Sequence, residues 1–174
     1  MQIKKFNEEV WYTKEEITNI SRQDIASLKK MAMVNPRKRI RLCSHRSVED
    51  TVHEMLIIHT KETYVRAHKH LHKSESFHLI EGSVDVLLFD DNGQLRQVVE
   101  MGDYSSGKQF YFRMDGPVYH TLIINSDFIV FHETTQGPFV RTDTVFAPWA
   151  PEEKDVSTVK IFMDQLKKSK EIFQ

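Results

Sequence analysis

Cysteine is nearly absent from this chain: Cys43 is the single example in 174 residues. An internal disulfide is thereby excluded, and a lone thiol fits a reducing, cytoplasmic setting. An excess of one charge sign is also missing, because 24 Lys and Arg face 25 Asp and Glu for a net charge of −1. That balance argues for neither nucleic acid nor a membrane surface as partner. No apolar run approaches the ~20 residues needed to span a bilayer. The opening Met1-Gln2-Ile3-Lys4-Lys5-Phe6-Asn7-Glu8-Glu9 lacks the apolar centre of a signal peptide. Internal repeats and low-complexity linkers are absent too. A chain of this length suits one domain, which can bury roughly 70% of its unfolded surface.

Histidine, in contrast, is plentiful at nine residues, and the spacing of a few is informative. In His68-Lys69-His70-Leu71-His72-Lys73-Ser74-Glu75, residues two apart on an extended strand point to the same side. His68 and His70 therefore aim their imidazoles into one space. Glu75, past a short polar turn, can add a carboxylate oxygen at the same point. Two imidazoles and a carboxylate form half the coordination shell of a divalent metal, at distances near ~2 Å. His120, ahead of the apolar Leu122-Ile123-Ile124, can supply a fourth ligand from another strand. A solvated His-rich hairpin is the bland alternative. Against it, the HxH pair, four residues, Glu, six residues and Gly82 fix the ligand spacing and the next turn together. The set suits Zn, Mn, Fe or Ni without separating them. It leaves one or two positions open, where an ion can polarise a carbonyl or hydroxyl or acidify bound water. A purely structural zinc site would favour cysteines.

His68, His70, Glu75 and Gly82 together resemble the first motif of the cupin superfamily. The resemblance implies a β-barrel of two packed sheets, a jelly-roll-like double-stranded β-helix, with a metal inside its mouth. The second cupin motif, PxGxxHxxxN, is matched in part. Gly116-Pro117-Val118-Tyr119-His120 carries the histidine, but Met114 stands where the first Pro belongs and Asn125 falls one place late. From Pro36 to Glu152 the chain also resembles the WbuC family of cupin-fold metalloproteins. The residues carrying this are Pro36-Arg37, Arg39, Arg41, Cys43-Ser44-His45, Tyr64-Val65-Arg66 and Phe89-Asp90-Asp91-Asn92-Gly93. Further along come Glu133, Gly137-Pro138-Phe139 and the distinctive Phe146-Ala147-Pro148-Trp149-Ala150-Pro151-Glu152. That resemblance implies a connection with bacterial surface-polysaccharide (O-antigen) biosynthesis and leaves the reaction open.

The coarse organisation agrees. Thr13-Lys14-Glu15-Glu16 and Ser21-Arg22-Gln23-Asp24 both carry the cap-and-acid pattern of a helix start. Ile25, Leu28 and Ala32 then form an apolar stripe, and Pro36 stops the helix. Strand signals follow: His53 to His59, Ser83 to Phe89, Leu95 to Met101, Phe110 to Arg113, His120 to Ile124 and Phe128 to Glu133. Asp91-Asn92-Gly93 marks a hairpin. A closing helix near Ser157 carries the stripe Val159, Phe162, Met163, Leu166, with Lys167, Lys168 and Lys170 in its last turns. The expectation is an all-β cupin fold with helical arms: an N-terminal arm over 1–35, a barrel over 36–152 and a C-terminal helix over 153–174. Many short strands with regular turns favour a sandwich or barrel over a parallel sheet.

Strand parity suggests what else lines the pocket. If the strand stays regular, Tyr64 and Arg66 share the face of His68 and His70. An inward Arg is costly to bury alone, so an anionic ligand is its natural partner; a bulge turning Arg66 outward is the alternative. Alternating Arg37, Arg39 and Arg41 read first as guards of an edge strand, with Arg41 and His45 kept as ligand-binding candidates. Glu133 is a candidate general base or a group that orients an imidazole, and Tyr64 is the other candidate for proton transfer. Trp149 reads as an apolar latch, across a homodimer in one version. Two functions follow. The first is a metal-dependent enzyme acting on a small polar, carbohydrate or sugar-nucleotide-derived ligand, with isomerase or epimerase chemistry ahead of oxygen chemistry. The second is a non-catalytic, metal-dependent sugar-binding or regulatory module.

Overall fold

The computed structural model describes residues 1–173. Its strands are β1 (Ile3–Lys5), β2 (Val10–Thr13), β3 (Arg39–Cys43), β4 (Val52–Thr60), β5 (His68–His70), β6 (Ser74–Glu81), β7 (Ser83–Phe89), β8 (Leu95–Gly102), β9 (Tyr111–Asp115), β10 (Tyr119–Ile124), β11 (Phe128–Gln136) and β12 (Thr144–Phe146). Helix α1 (Arg22–Val34) precedes β3, and α2 (Val156–Phe173) closes the chain. The strands form a seven-stranded sheet, β1-β2-β3-β4-β11-β6-β9, packed on a five-stranded sheet, β12-β5-β10-β7-β8.

Period-two alternation sorts the side chains of the large sheet. Met55, Ile57, Phe77, Leu79, Ile129 and Phe131 point inward and meet Val84, Val86, Leu88, Leu122 and Ile124 of the small sheet. The opposite faces are covered by helices. Leu28 and Ala32 of α1 pack on Ile40, Leu42, Leu56, Ile58 and Val130. Burial of a side chain such as Leu28 contributes about 1.5–3 kcal/mol. Leu166, Phe162 and Met163 of α2 pack on Leu87, Phe89, Tyr119 and Ile123, with Ala147, Trp149 and Ala150 layered between.

Local chemistry explains the boundaries. Ser21 accepts from the Asp24 backbone N–H at 3.3 Å, and Asp24 Oδ2 accepts from the Ser21 N–H at 2.8 Å, a reciprocal cap that starts α1. At the other end Asn35 is extended, as a residue before proline prefers. The similar pattern at Thr13 starts no helix: Thr13 ends β2, and its hydroxyl pairs with that of Thr18 at 2.9 Å. The N-terminal arm thus contributes two strands as well as a helix. Gly82 makes the β6–β7 turn at φ +90°, and a Cβ there would lie 2.2 Å from the Phe128 carbonyl oxygen. Gly93 turns the β7–β8 hairpin at φ +83°.

Two expectations are corrected here. The barrel does not close. On one flank an isolated bridge joins Met101 to Gln109, whereas β12, the outer strand of the small sheet, pairs only with β5. That second flank stays open between β12 and the β2–β3 side of the large sheet. Also, β3 is no edge strand. It is flanked by β4 and, in parallel register, by β2, because the polar N-terminal segment extends the sheet. No helix among the described residues is long and apolar enough to cross a membrane.

Candidate metal centre

Three histidines meet at one end of the sandwich. β5 and β10 pair with His68 directly opposite His120, so both imidazoles leave the same face of the small sheet. His70 follows two residues on, beside Thr144 of β12. One nitrogen from each of His68, His70 and His120 lies within 4.8 Å of the others. Small side-chain adjustments bring donors so spaced to about 2.1 Å from a common ion.

The backbone sets which nitrogen faces inward. His68 Nδ1 lies 2.9 Å from the Arg66 carbonyl oxygen, and His120 Nδ1 lies 3.0 Å from that of Val118. A carbonyl can only accept, so each Nδ1 carries the proton and the Nε2 lone pair is left free, as metal-binding imidazoles require. His70 Nδ1 contacts the Thr144 hydroxyl at 3.2 Å.

Glu75, at the start of β6, projects from the facing sheet and is 4% exposed. Its oxygens lie 2.9 Å from His120 Nε2 and 3.5 Å from His70 Nε2, yet Oε1 is buried without a well-aligned hydrogen bond. A buried carboxylate oxygen without a well-aligned hydrogen bond, beside three converging imidazole nitrogens, fits a cation, since unpaired buried charge is costly. The donors His68, His70 and His120 could therefore hold a metal ion, with Glu75 adjoining them.

Electrostatics follow the same geometry. Burial opposes charge on both Glu75 and His120, but their mutual contact outweighs it, holding the carboxyl below and the imidazole above its ordinary range. Burial, reinforced by His120, pushes His68 down to about 3 and keeps it a neutral donor. Glu133, on the inner face of β11, has no hydrogen bond or ion pair among the described residues. Burial pushes its carboxyl up to about 7, against the opposing pull of Arg41, with the Glu75 charge adding to the rise.

The remaining candidates are distributed differently. Tyr64 does not share the imidazole face, because regular strand geometry begins only at His68. Its hydroxyl donates to the Pro151 carbonyl at 3.0 Å and its ring packs edge-on to Phe162 of α2; burial pushes it up to about 12. Arg66 donates from Nε to the Ala150 carbonyl at 3.1 Å and lies 4.9 Å from the Phe146 ring centroid. Phe146 in turn sits 6.2 Å from His68, so Arg66 is on the rim of the cup. His45 is buried beside the cup, stacked on His53 with centroids 4.1 Å apart, and burial pushes its imidazole down. Arg41 shares the inward parity of Cys43, opposite to Ile40 and Leu42. Arg37 and Arg39 are neutralised by Glu9 and Glu153. His72 is exposed, and His132 points outward to Glu54 at 3.8 Å.

Sequence reasoning gave no notice of two features. Thr144 braces His70, and Phe146 lies between Arg66 and His68. Their only signal was position in the Phe146–Glu152 segment or just before it.

Comparison with other proteins adds the following. Residues 20–101 match a family model described as a domain of unknown function, DUF6016. That span contains His68, His70 and Glu75 and ends before His120 and Glu133. No curated protein matches the chain. Protein SO0799 from Shewanella oneidensis has a similar structure, with a TM-score of 0.51 at 16% identity over 61% of this chain and 72% of that one. The capsular polysaccharide assembling protein CapF from Staphylococcus aureus gives 0.47 at 15% identity, over 61% of this chain and 34% of its own. The Schizosaccharomyces pombe Cnp3 cupin domain gives 0.40 at 12% identity, over 57% and 64%. At 16% identity the likeness to SO0799 is one of fold. With its two facing sheets and histidine-lined end, the chain has a cupin β-sandwich fold.

Proposed function

We propose that this chain is a cytoplasmic, homodimeric cupin that binds Zn, Mn, Fe or Ni through His68, His70, Glu75 and His120. Its ligand is a small polar molecule derived from a carbohydrate or sugar nucleotide, and its chemistry is isomerase- or epimerase-like proton transfer. The convergence of three imidazole nitrogens within 4.8 Å carries the reading. A divalent ion held there supplies a Lewis acid for a ligand carbonyl or hydroxyl.

The chain's own groups support proton transfer. Glu133 has a carboxyl pushed up to about 7 by burial, so it can both accept and return a proton near neutrality. It stands free of hydrogen bonds that would fix its protonation state. Tyr64, engaged with the Pro151 carbonyl, drops out as an acid–base group. The resemblance to the WbuC family over Pro36 to Glu152 supports a surface-polysaccharide setting.

Elemental analysis of tag-free protein, beside His70→Ala, tests the metal. Near-stoichiometric metal in the parent and its loss in the variant are expected; equal content in both overturns the assignment. Incubation of metal-loaded protein with sugar nucleotides in D2O tests the chemistry. Carbon-bound deuterium should accumulate in one sugar nucleotide, and Glu133→Gln should slow it by about 10²-fold or more while keeping its metal. Ligand-induced thermal stabilisation without any exchange would favour the non-catalytic binding module instead.

A further inference from the structure

We propose that the open flank of the sandwich holds an anion-binding subsite formed by Arg41 and Arg66, which takes the phosphate or carboxylate of the molecule whose other end reaches the imidazoles. The inference rests on the metal-site reading for that second half, and deepens it by naming the ligand's charged group.

Arg41 is the odd member of its series. Of the three alternating arginines, Arg37 and Arg39 each meet Glu9 and Glu153. Arg41 has the same inward parity as Arg39 but no ion pair or side-chain hydrogen bond among the described residues. Its charge reaches groups on four elements around the inner face of the large sheet. It biases Tyr12, Cys43, His59 and Glu133, from β2, β3, β4 and β11 respectively. Arg41 is exposed where the flank is open, and a solvent-facing guanidinium with its fork unused is a standing anion receptor.

Arg66 answers it from the other sheet. The Arg39 guanidinium donates to the Tyr64 carbonyl at 3.4 Å, tying β3 to the segment that enters β5. From that contact both segments run toward the imidazole end, because β3 runs parallel to β11 while β5 and β6 lead to and from the same end. Arg41 and Arg66 each lie two residues beyond the tie, one on each sheet at the open flank. Only Nε of Arg66 is engaged, with the Ala150 carbonyl, so its terminal nitrogens are unspent. The contacts from Arg66 to Phe146 and from Phe146 to His68 connect this point to the candidate metal centre.

A second observation marks the same wall as unfinished. His59, inward on β4 and 7% exposed, has a buried Nδ1 without a hydrogen-bond partner. Its ring packs edge-on against Phe131, leaving the orphan nitrogen to be satisfied by a bound group or its water.

The test uses inorganic phosphate, glucose 1-phosphate and glucose, titrated calorimetrically into chelator-treated full-length protein, so that phosphate cannot ligate a metal. Both phosphates should bind and glucose should not. Arg41→Gln should weaken phosphate at least tenfold, with Arg41→Lys intermediate because it keeps charge without the fork. Arg37→Gln, which removes a paired arginine, should bind as the parent does. Circular dichroism and metal content report folding and the histidine site independently. Parent-like phosphate binding by folded Arg41→Gln, or equal loss in Arg37→Gln, overturns the subsite while leaving the metal reading intact. Arginine-dependent binding by a protein that carries no metal when purified without a tag, before any chelation, sinks the metal reading and keeps the subsite.

Discussion

Lys170, in the last turn of α2, meets Asp85 Oδ2 at 2.7 Å across a separation of 85 residues. Asp85 sits on the helix-facing side of the small sheet and is 1% exposed. Asn125 donates to the same oxygen at 2.9 Å. Removing the lysine leaves a buried charge with one neutral partner. Lys170→Met should cost about 3 kcal/mol, read by urea denaturation, and Lys170→Met with Asp85→Asn should recover part of it. A single-variant loss below about 1 kcal/mol would show that the pair does not anchor the helix.

Metal should stabilise the fold by mass action. At a free concentration one hundred times its Kd, the ion adds about 2.7 kcal/mol, so chelation should lower the Tm of metal-loaded protein. His68→Ala, His70→Ala and His120→Ala should each abolish that difference. Glu75→Gln should weaken binding by about 10–100-fold. A chelator effect that survives His120→Ala would locate the ion elsewhere.

Gly82 cannot be replaced cheaply. Its φ of +90° and the 2.2 Å approach of a would-be Cβ to the Phe128 carbonyl oxygen both oppose a side chain. Gly82→Ala should destabilise by about 2 kcal/mol or more, whereas an exposed Gly107→Ala meets nothing within 4 Å and carries only the φ penalty. Equal effects at the two positions would remove the close contact from the explanation.

Acid should act through His59. Burial, with Arg41 and Arg37 adding to it, pushes this imidazole from 6.5 down to about 3. The folded protein keeps it neutral while the unfolded chain protonates below about pH 6.5. The unfolded state then binds the extra proton, so this contribution to stability is complete above that pH and shrinks toward pH 3. His59→Leu should gain roughly 2 kcal/mol relative to the parent between pH 7 and pH 5. A constant difference between the two proteins over that interval would rule His59 out as the titrating group.

How much of this was legible depended on the range of each signal. His68, His70 and Glu75 were readable because their geometry is local: parity within β5, then one short turn. His120 was readable through a motif and an adjoining apolar strand. Tyr64 was misread because the same parity rule was extended past His68, where the chain is no longer a strand. The cap pattern at Thr13 failed because β2 finds a partner in β3 and β1 pairs with β2, tertiary contacts that local propensity cannot register. The Asp85–Lys170 pair and the pull of Arg41 on the Glu133 carboxyl join distant segments and leave no periodic trace.

The strand that brings two imidazoles to the centre, β5, and its neighbour β12, which braces His70 through Thr144, are each three residues long. Strands so short hold little order by themselves. Their outer side is braced by Ala67, Ala147, Trp149 and Ala150 beneath Leu166 of α2. The helix therefore works as a buttress: it donates no ligand, yet ion affinity and helix docking are thermodynamically linked. Loosening the buttress from outside would weaken the hold on any ion bound within, without touching a single histidine.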